Sequence, residues 1–171
     1  MPEITVEASA LTAEAFAPFG DVIETSARLA KWINQGTSQR FDDLAQIDVL
    51  EAGGRPALSI VRALPRSLPL QVAMLERHPQ SSQAFVPLEA RPFLVVVAHD
   101  GPSSLATRMR AFLTSGHQGV NYRRGTWHHP LITLWVPCFF LVVDRAGAGP
   151  NCEEVRADDG VISVRLPSAG A

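Results

Sequence analysis

The chain has 171 residues, 46% hydrophobic and 19% charged, with a formal net charge of −2. That length fits one domain able to bury an ordinary core without disulfide or metal staples, and the charge removes the electrostatic case for a nucleic-acid partner. Twelve Gly and thirteen Pro argue against a long-helix bundle and for many short strands separated by turns.

The N-terminal residues lack a basic start followed by an apolar core, and no stretch approaches the roughly 18 apolar residues of a membrane span. A cytoplasmic protein without membrane contact is the expectation. The first element is a short helix over residues 11–17, with Ser9 or Thr12 as N-cap and Pro18 and Gly20 as stops. Short apolar or alternating runs then predict strands over 47–52, 57–63, 71–78, 83–87, 93–99, 108–114, 131–136, 139–144 and 161–166. Turn-rich breaks such as Gly53-Gly54-Arg55-Pro56 and Asp100-Gly101-Pro102 divide them, and no linker splits residues 1–171. The pattern predicts one all-β domain, a sandwich or barrel, with a frayed tail over 167–171.

Cys138 and Cys152 are too few for a disulfide framework, and Cys138 lies in an apolar run as a small hydrophobe. Of the 15 basic residues only Lys31 is a lysine. Arginine's rigid fork suits bidentate carboxylate binding, although codon preference explains the bias as well.

Polar residues that look out of place cluster in two segments. Glu76 and His78, two apart on one strand, would share a face, with Gln83 and Phe85 arriving from the strand after the turn at residues 79–82. The second segment contains Gly119, Gly125 and the adjacent His128 and His129, which point to opposite faces if the strand is regular. His129 is read as structural. Together the spacings resemble the two halves of the cupin signature, whose four polar positions hold a divalent metal in a small jelly-roll barrel. Glu76, His78, Gln83 and His128 occupy those positions, with Glu in place of the first His and Gln in place of the usual carboxylate.

Longer blocks narrow the resemblance. Leu75-Glu76-Arg77-His78-Pro79, Ser82-Gln83-Ala84-Phe85-Val86-Pro87-Leu88, Gln118-Gly119-Val120-Asn121-Tyr122 and Thr126-Trp127-His128-His129-Pro130-Leu131 resemble the ureidoglycolate lyase family. So do Phe19-Gly20-Asp21-Val22, Ile33-Asn34, Arg40 with Asp43-Leu44-Ala45, and Leu141-Val142-Val143-Asp144-Arg145. The resemblance implies a cupin-like jelly-roll homodimer that splits ureidoglycolate into glyoxylate and urea in purine and allantoin breakdown. It implies no organic cofactor and leaves two versions of the site open: one with a divalent metal, nickel the first candidate, held by His78, Gln83 and His128, and one without metal, in which an Arg holds the carboxylate and His or Glu moves the protons.

Elimination of urea needs a base for the hydroxyl proton, an acid for the departing nitrogen and a cation for the carboxylate. His78, His128 and Glu76 are the candidate catalytic groups, each also able to bind a metal. A lone His is more often a hydrogen-bonded structural residue, and Glu76 could equally be a surface partner of Arg77. Candidate substrate-binding residues are Arg40, Asn34, Gln83, Asn121 and Phe85. Arg62, Arg77 and Arg123 compete with Arg40 for the carboxylate, and turn formation competes for both asparagines. Two rival functions are another metal-dependent cupin enzyme and a non-catalytic sensor of small carboxylates.

Overall fold

The computed structural model describes residues 3–26, 28–157 and 161–167. Its centre is the strand Phe93–Ala98, six consecutive buried residues. Alternation sends Phe93, Val95 and Val97 into one apolar cluster and Leu94, Val96 and Ala98 into another. A strand buried on both faces reads as a continuous apolar run, which explains its sequence. It is the middle of a seven-stranded sheet, flanked by Met109–Leu113 on one side and by Trp127–His128 and Ile132–Thr133 on the other.

Two further sheets cover it. A three-stranded sheet of Glu3–Glu7, Val161–Arg165 and Leu70–Val72 shares the first cluster through Val72, Ile162 and Val164. On the other side lies a five-stranded sheet, in the order Gly20–Ile23, Gly119–Tyr122, Gln83–Pro87, Cys138–Ala146, Arg55–Ala63. Phe85, Val120, Tyr122, Phe140 and Val142 of that sheet meet Phe16, Phe19 and Phe112 in the second cluster. The class is all-β, as the turn-rich sequence predicts. The facing sheets of the expected jelly roll do not close into a continuous hydrogen-bonded barrel among the described residues.

Several elements differ from expectation. The helix is one turn, Ala13–Phe16, capped by the Thr12 hydroxyl, which accepts from the Ala15 N–H at 3.2 Å. A second single turn, Leu105–Arg108, precedes Met109–Leu113. Residues 47–52 form no strand: Asp48 exchanges hydrogen bonds with Ser82, and the segment ends in a 3-10 turn at Glu51–Gly53. Residues 71–78 divide at Ala73, so Leu70–Val72 joins the small sheet and Met74–Arg77 the large one. The strand expected over 131–136 shrinks to Ile132–Thr133 because the chain turns at Trp135, whose φ is +58°. Of the expected frayed tail, residues 168–171 lie outside the described residues. No helix among the described residues is long and apolar enough to cross a membrane.

Gly20 shows how tightly the outer strand is fitted. Its φ is +153°, and an added Cβ would lie 1.9 Å from the Asn121 carbonyl oxygen. Gly20→Ala is expected to cost about 1–3 kcal/mol as forced overpacking, which for a chain of this size lowers Tm by about 2–4 °C per kcal/mol. Gly36→Ala, with nothing within 4 Å of the added atom, should lower Tm less. Calorimetry of the two variants measures the difference.

Candidate active site

The register of the large sheet builds the site. His128 pairs with Val97, whose side chain faces the second cluster, so the imidazole enters the space between the two large sheets. Glu76 pairs with His128 from the other side and therefore shares that face. Trp127, one residue earlier, packs against the opposite cluster. His78 lies just past the end of Met74–Arg77, and three hydrogen bonds fix its turn. Asn151 accepts from the Gln80 N–H at 2.7 Å and donates to the Ser81 hydroxyl at 2.9 Å, while the Gly125 N–H donates to the His78 carbonyl at 2.9 Å.

Both imidazoles are anchored in the same way. His78 Nδ1 lies 2.6 Å from the Asn151 carbonyl oxygen, and His128 Nδ1 lies 2.9 Å from the Thr126 carbonyl oxygen. A carbonyl can only accept, so each Nδ1 carries a proton and each Nε2 is the atom turned inward. His128 Nε2 is 3.5 Å from Glu76 Oε1, and His78 Nε2 is 4.0 Å from the same oxygen and 3.1 Å from Gln83 Oε1. The Tyr122 ring stacks on His128, with centroids 4.2 Å apart and planes 12° from parallel. Burial and then the nearby Glu76 charge push the Tyr122 hydroxyl above its ordinary range. His128 holds the Glu76 carboxyl below the usual carboxylate range, against the opposing effect of burial, so Glu76 is ionised at neutral pH.

This arrangement suits a divalent ion. The available ligand atoms of Glu76, His78 and His128 all lie within 4.8 Å of one another, which slight contraction would bring to bonding distances of about 2.0–2.2 Å from one centre. His128 Nε2 is buried without a hydrogen-bond partner among the described residues, a costly state that a metal would relieve. Backbone carbonyls fixing Nδ1 are the outer support that metal-bound imidazoles generally have. Gln83 Oε1 adds a neutral oxygen donor. Sequence spacing places Glu76, His78, Gln83 and His128 at one site, with Glu76 as either base or ligand, and the four lie in one cluster.

The cluster opens onto a cavity of about 530 Å³ bordered by Glu76, Gln83 and Phe85, with Val142 and Asp144 on the next strand. That volume is ample for a small substrate. Arg66 also lines it. The other sequence candidates lie elsewhere in this chain. Arg40 and Asn34 belong to an exposed hairpin formed by Lys31–Ile33 and Ser38–Arg40, where Arg40 pairs with Asp42 at 2.5 Å and Asn34 donates to Ser38 at 3.3 Å. Buried Asn121 donates to Asp21 and to the Gln46 carbonyl, each at 2.9 Å, and does not border the cavity. His129 sits outside the cluster with Nδ1 2.7 Å from the Pro130 carbonyl, and burial pushes its pKa down.

Sequence reasoning missed Arg66, Asp144 and the Asn151 carbonyl. Arg66 is hidden in a Pro-flanked break that signals only a turn, and Asn151 is 73 residues from the ring it holds. Asp144 carried a readable signal: it ends an apolar strand run two residues beyond cavity-lining Val142.

A family model described as ureidoglycolate lyase matches residues 3–164. The chain is 57% identical over 150 residues to a protein named ureidoglycolate lyase from Burkholderia mallei, covering 88% of each chain. It is 50% identical over 154 residues to one of the same name from Pseudomonas syringae pv. tomato, covering 90% of this chain and 89% of that one. Among solved structures, a dTDP sugar isomerase from Desulfovibrio desulfuricans is similar with a TM-score of 0.46 and 15% identity, over 83% of this chain and 88% of that one.

Proposed function

The chain belongs to the ureidoglycolate lyase family, and from that premise we propose that it is a cytoplasmic enzyme cleaving (S)-ureidoglycolate to glyoxylate and urea in allantoin degradation. The observation that carries this reading is the convergence of Glu76 Oε1 with the Nε2 atoms of His78 and His128 beside an open cavity. One carbon of the substrate bears a carboxylate, a hydroxyl and a ureido nitrogen. Ionised Glu76 accepts the hydroxyl proton, the carbon–oxygen double bond forms as the carbon–nitrogen bond breaks, and the same proton passes to the ureido nitrogen. Atoms balance without water, so no ammonia appears.

Glu76, His78 and His128, with Gln83 beside them, are the residues that would hold a divalent metal, nickel being the first to test. When bound, such an ion supplies Lewis acidity that lowers the pKa of the substrate hydroxyl. Phe85 and Val142 form an apolar wall that limits water around the reacting carbon. Gln83 has no proton to release at ordinary pH, and its Oε1, an acceptor beside His78 Nε2, is placed to orient the substrate.

A homodimer completes the proposal. The edge strand Arg55–Ala63 turns Leu58 and Ile60 outward at 71% and 57% exposure, beside Leu141 and half-exposed Phe139 on the adjacent strand. An apolar row of this kind on an unpaired edge suits a second copy.

Three outcomes are expected. Purified protein releases glyoxylate and urea in equal amounts without ammonia, and Glu76→Gln lowers kcat by about 10²–10⁴-fold; unchanged turnover in that variant removes Glu76 as the base. Elemental analysis finds a divalent metal that is lost in both His78→Ala and His128→Ala while circular dichroism remains that of a folded chain; retention in both rejects the metal centre. Light scattering gives twice the mass of one chain, falling to a single chain in Ile60→Asp.

A further inference from the structure

We propose that Arg66 binds the substrate's carboxylate and so selects anionic substrates for this site. The inference rests on the reading above that the cavity beside Glu76 receives ureidoglycolate. Arg66 is the one arginine among the residues lining that cavity, where Glu76 and Asp144 both contribute carboxylates. A substrate anion entering past two acids needs a compensating cation, and a guanidinium supplies one with two parallel N–H donors.

The state of its side chain separates Arg66 from the other candidates. Arg40 is paired with Asp42, and Arg77 pairs with Glu153 at 2.6 Å while its guanidinium lies 4.4 Å over the Trp127 ring. Arg123 donates to the Ala17 carbonyl at 3.1 Å, and Arg62 lies over Phe139 on the outward face. Among the described residues the exposed Arg66 guanidinium forms no ion pair or side-chain hydrogen bond; its charge reaches His129, where it adds to burial in lowering that pKa. Its backbone is nevertheless pinned, because the Arg66 N–H donates to the Thr133 carbonyl at 3.0 Å and Pro65 forms a bridge to Thr133. Thr133 and His128 lie on separate short strands that both pair with Phe93–Ala98, so one strand sets the anchor of Arg66 and the imidazole. A fixed base with an uncommitted guanidinium is the arrangement expected of a ligand clamp rather than of a structural ion pair.

The test compares Arg66→Gln and Arg66→Lys with the parent enzyme by steady-state kinetics and by calorimetric binding of glyoxylate, the product that keeps the carboxylate. Arg66→Gln is expected to raise KM for ureidoglycolate and weaken glyoxylate binding by about 10–100-fold, the loss of a charge-assisted pair. Metal content and Tm should stay at parent values, and Arg66→Lys should recover part of the affinity. An unchanged KM and glyoxylate affinity in Arg66→Gln overturns the proposal. So does an Arg40→Gln variant that carries the loss in its place, which would assign the clamp to the hairpin. If the parent binds glyoxylate through Arg66 but fails to cleave ureidoglycolate, the clamp stands and the lyase reading falls.

Discussion

Burial of Phe93–Ala98 on both faces is the constraint from which the remaining structure follows. Each fully buried large side chain contributes about 1.5–3 kcal/mol of transfer free energy, so a six-residue strand in this position strongly resists a shift in register. A slip of one residue would exchange the Val97 and Ala98 faces and send every side chain to the wrong layer. Because His128 pairs with Val97 and Glu76 pairs with His128, the register of an apolar strand decides which face the charged groups occupy. The aliphatic core thus dictates the position of the polar cluster.

That cluster carries a cost in the fold. An ionised carboxylate half-withdrawn from water, and an imidazole 1% exposed with an orphaned Nε2, both weaken a core that aliphatic residues would fill better. Local hydrogen bonds offset part of the cost through the Thr126 and Asn151 carbonyls. Stacking of Tyr122 on His128 adds an apolar cover that also blocks ring rotation. The outcome is a set of donors aimed before any ligand arrives, the usual way in which binding energy is saved for chemistry.

The sequence was most legible where a single physical rule governed. The strand Gln83–Pro87 agrees with expectation to the residue, since its alternation is flanked by clear turn residues. Glu76, His78, Gln83 and His128 were grouped by spacing, and they do lie together, although His78 reaches the cluster from beyond its strand. Reading failed where long-range pairing decided the outcome. Residues 47–52 alternate like a strand but find their partner in the Ser82 turn, and Gly20–Ile23 becomes a strand only by pairing with residues a hundred positions away. The Arg66 break looked like punctuation because nothing local says that its side chain meets a cavity.

The dependence of His78 on Asn151 has a consequence for how the chain matures. Glu76 and His78 leave the ribosome well before the Asn151 carbonyl that orients His78 and the strand Glu153–Arg156 that pairs with Met74–Arg77. Val161–Arg165 then closes the small sheet onto Glu3–Glu7, joining the two ends of the described fold. A nascent chain halted before residue 151 holds the Glu76 carboxylate on an unfinished sheet edge, without the carbonyl that anchors the His78 ring. Completion of the Glu76, His78 and His128 cluster is therefore among the last steps of synthesis.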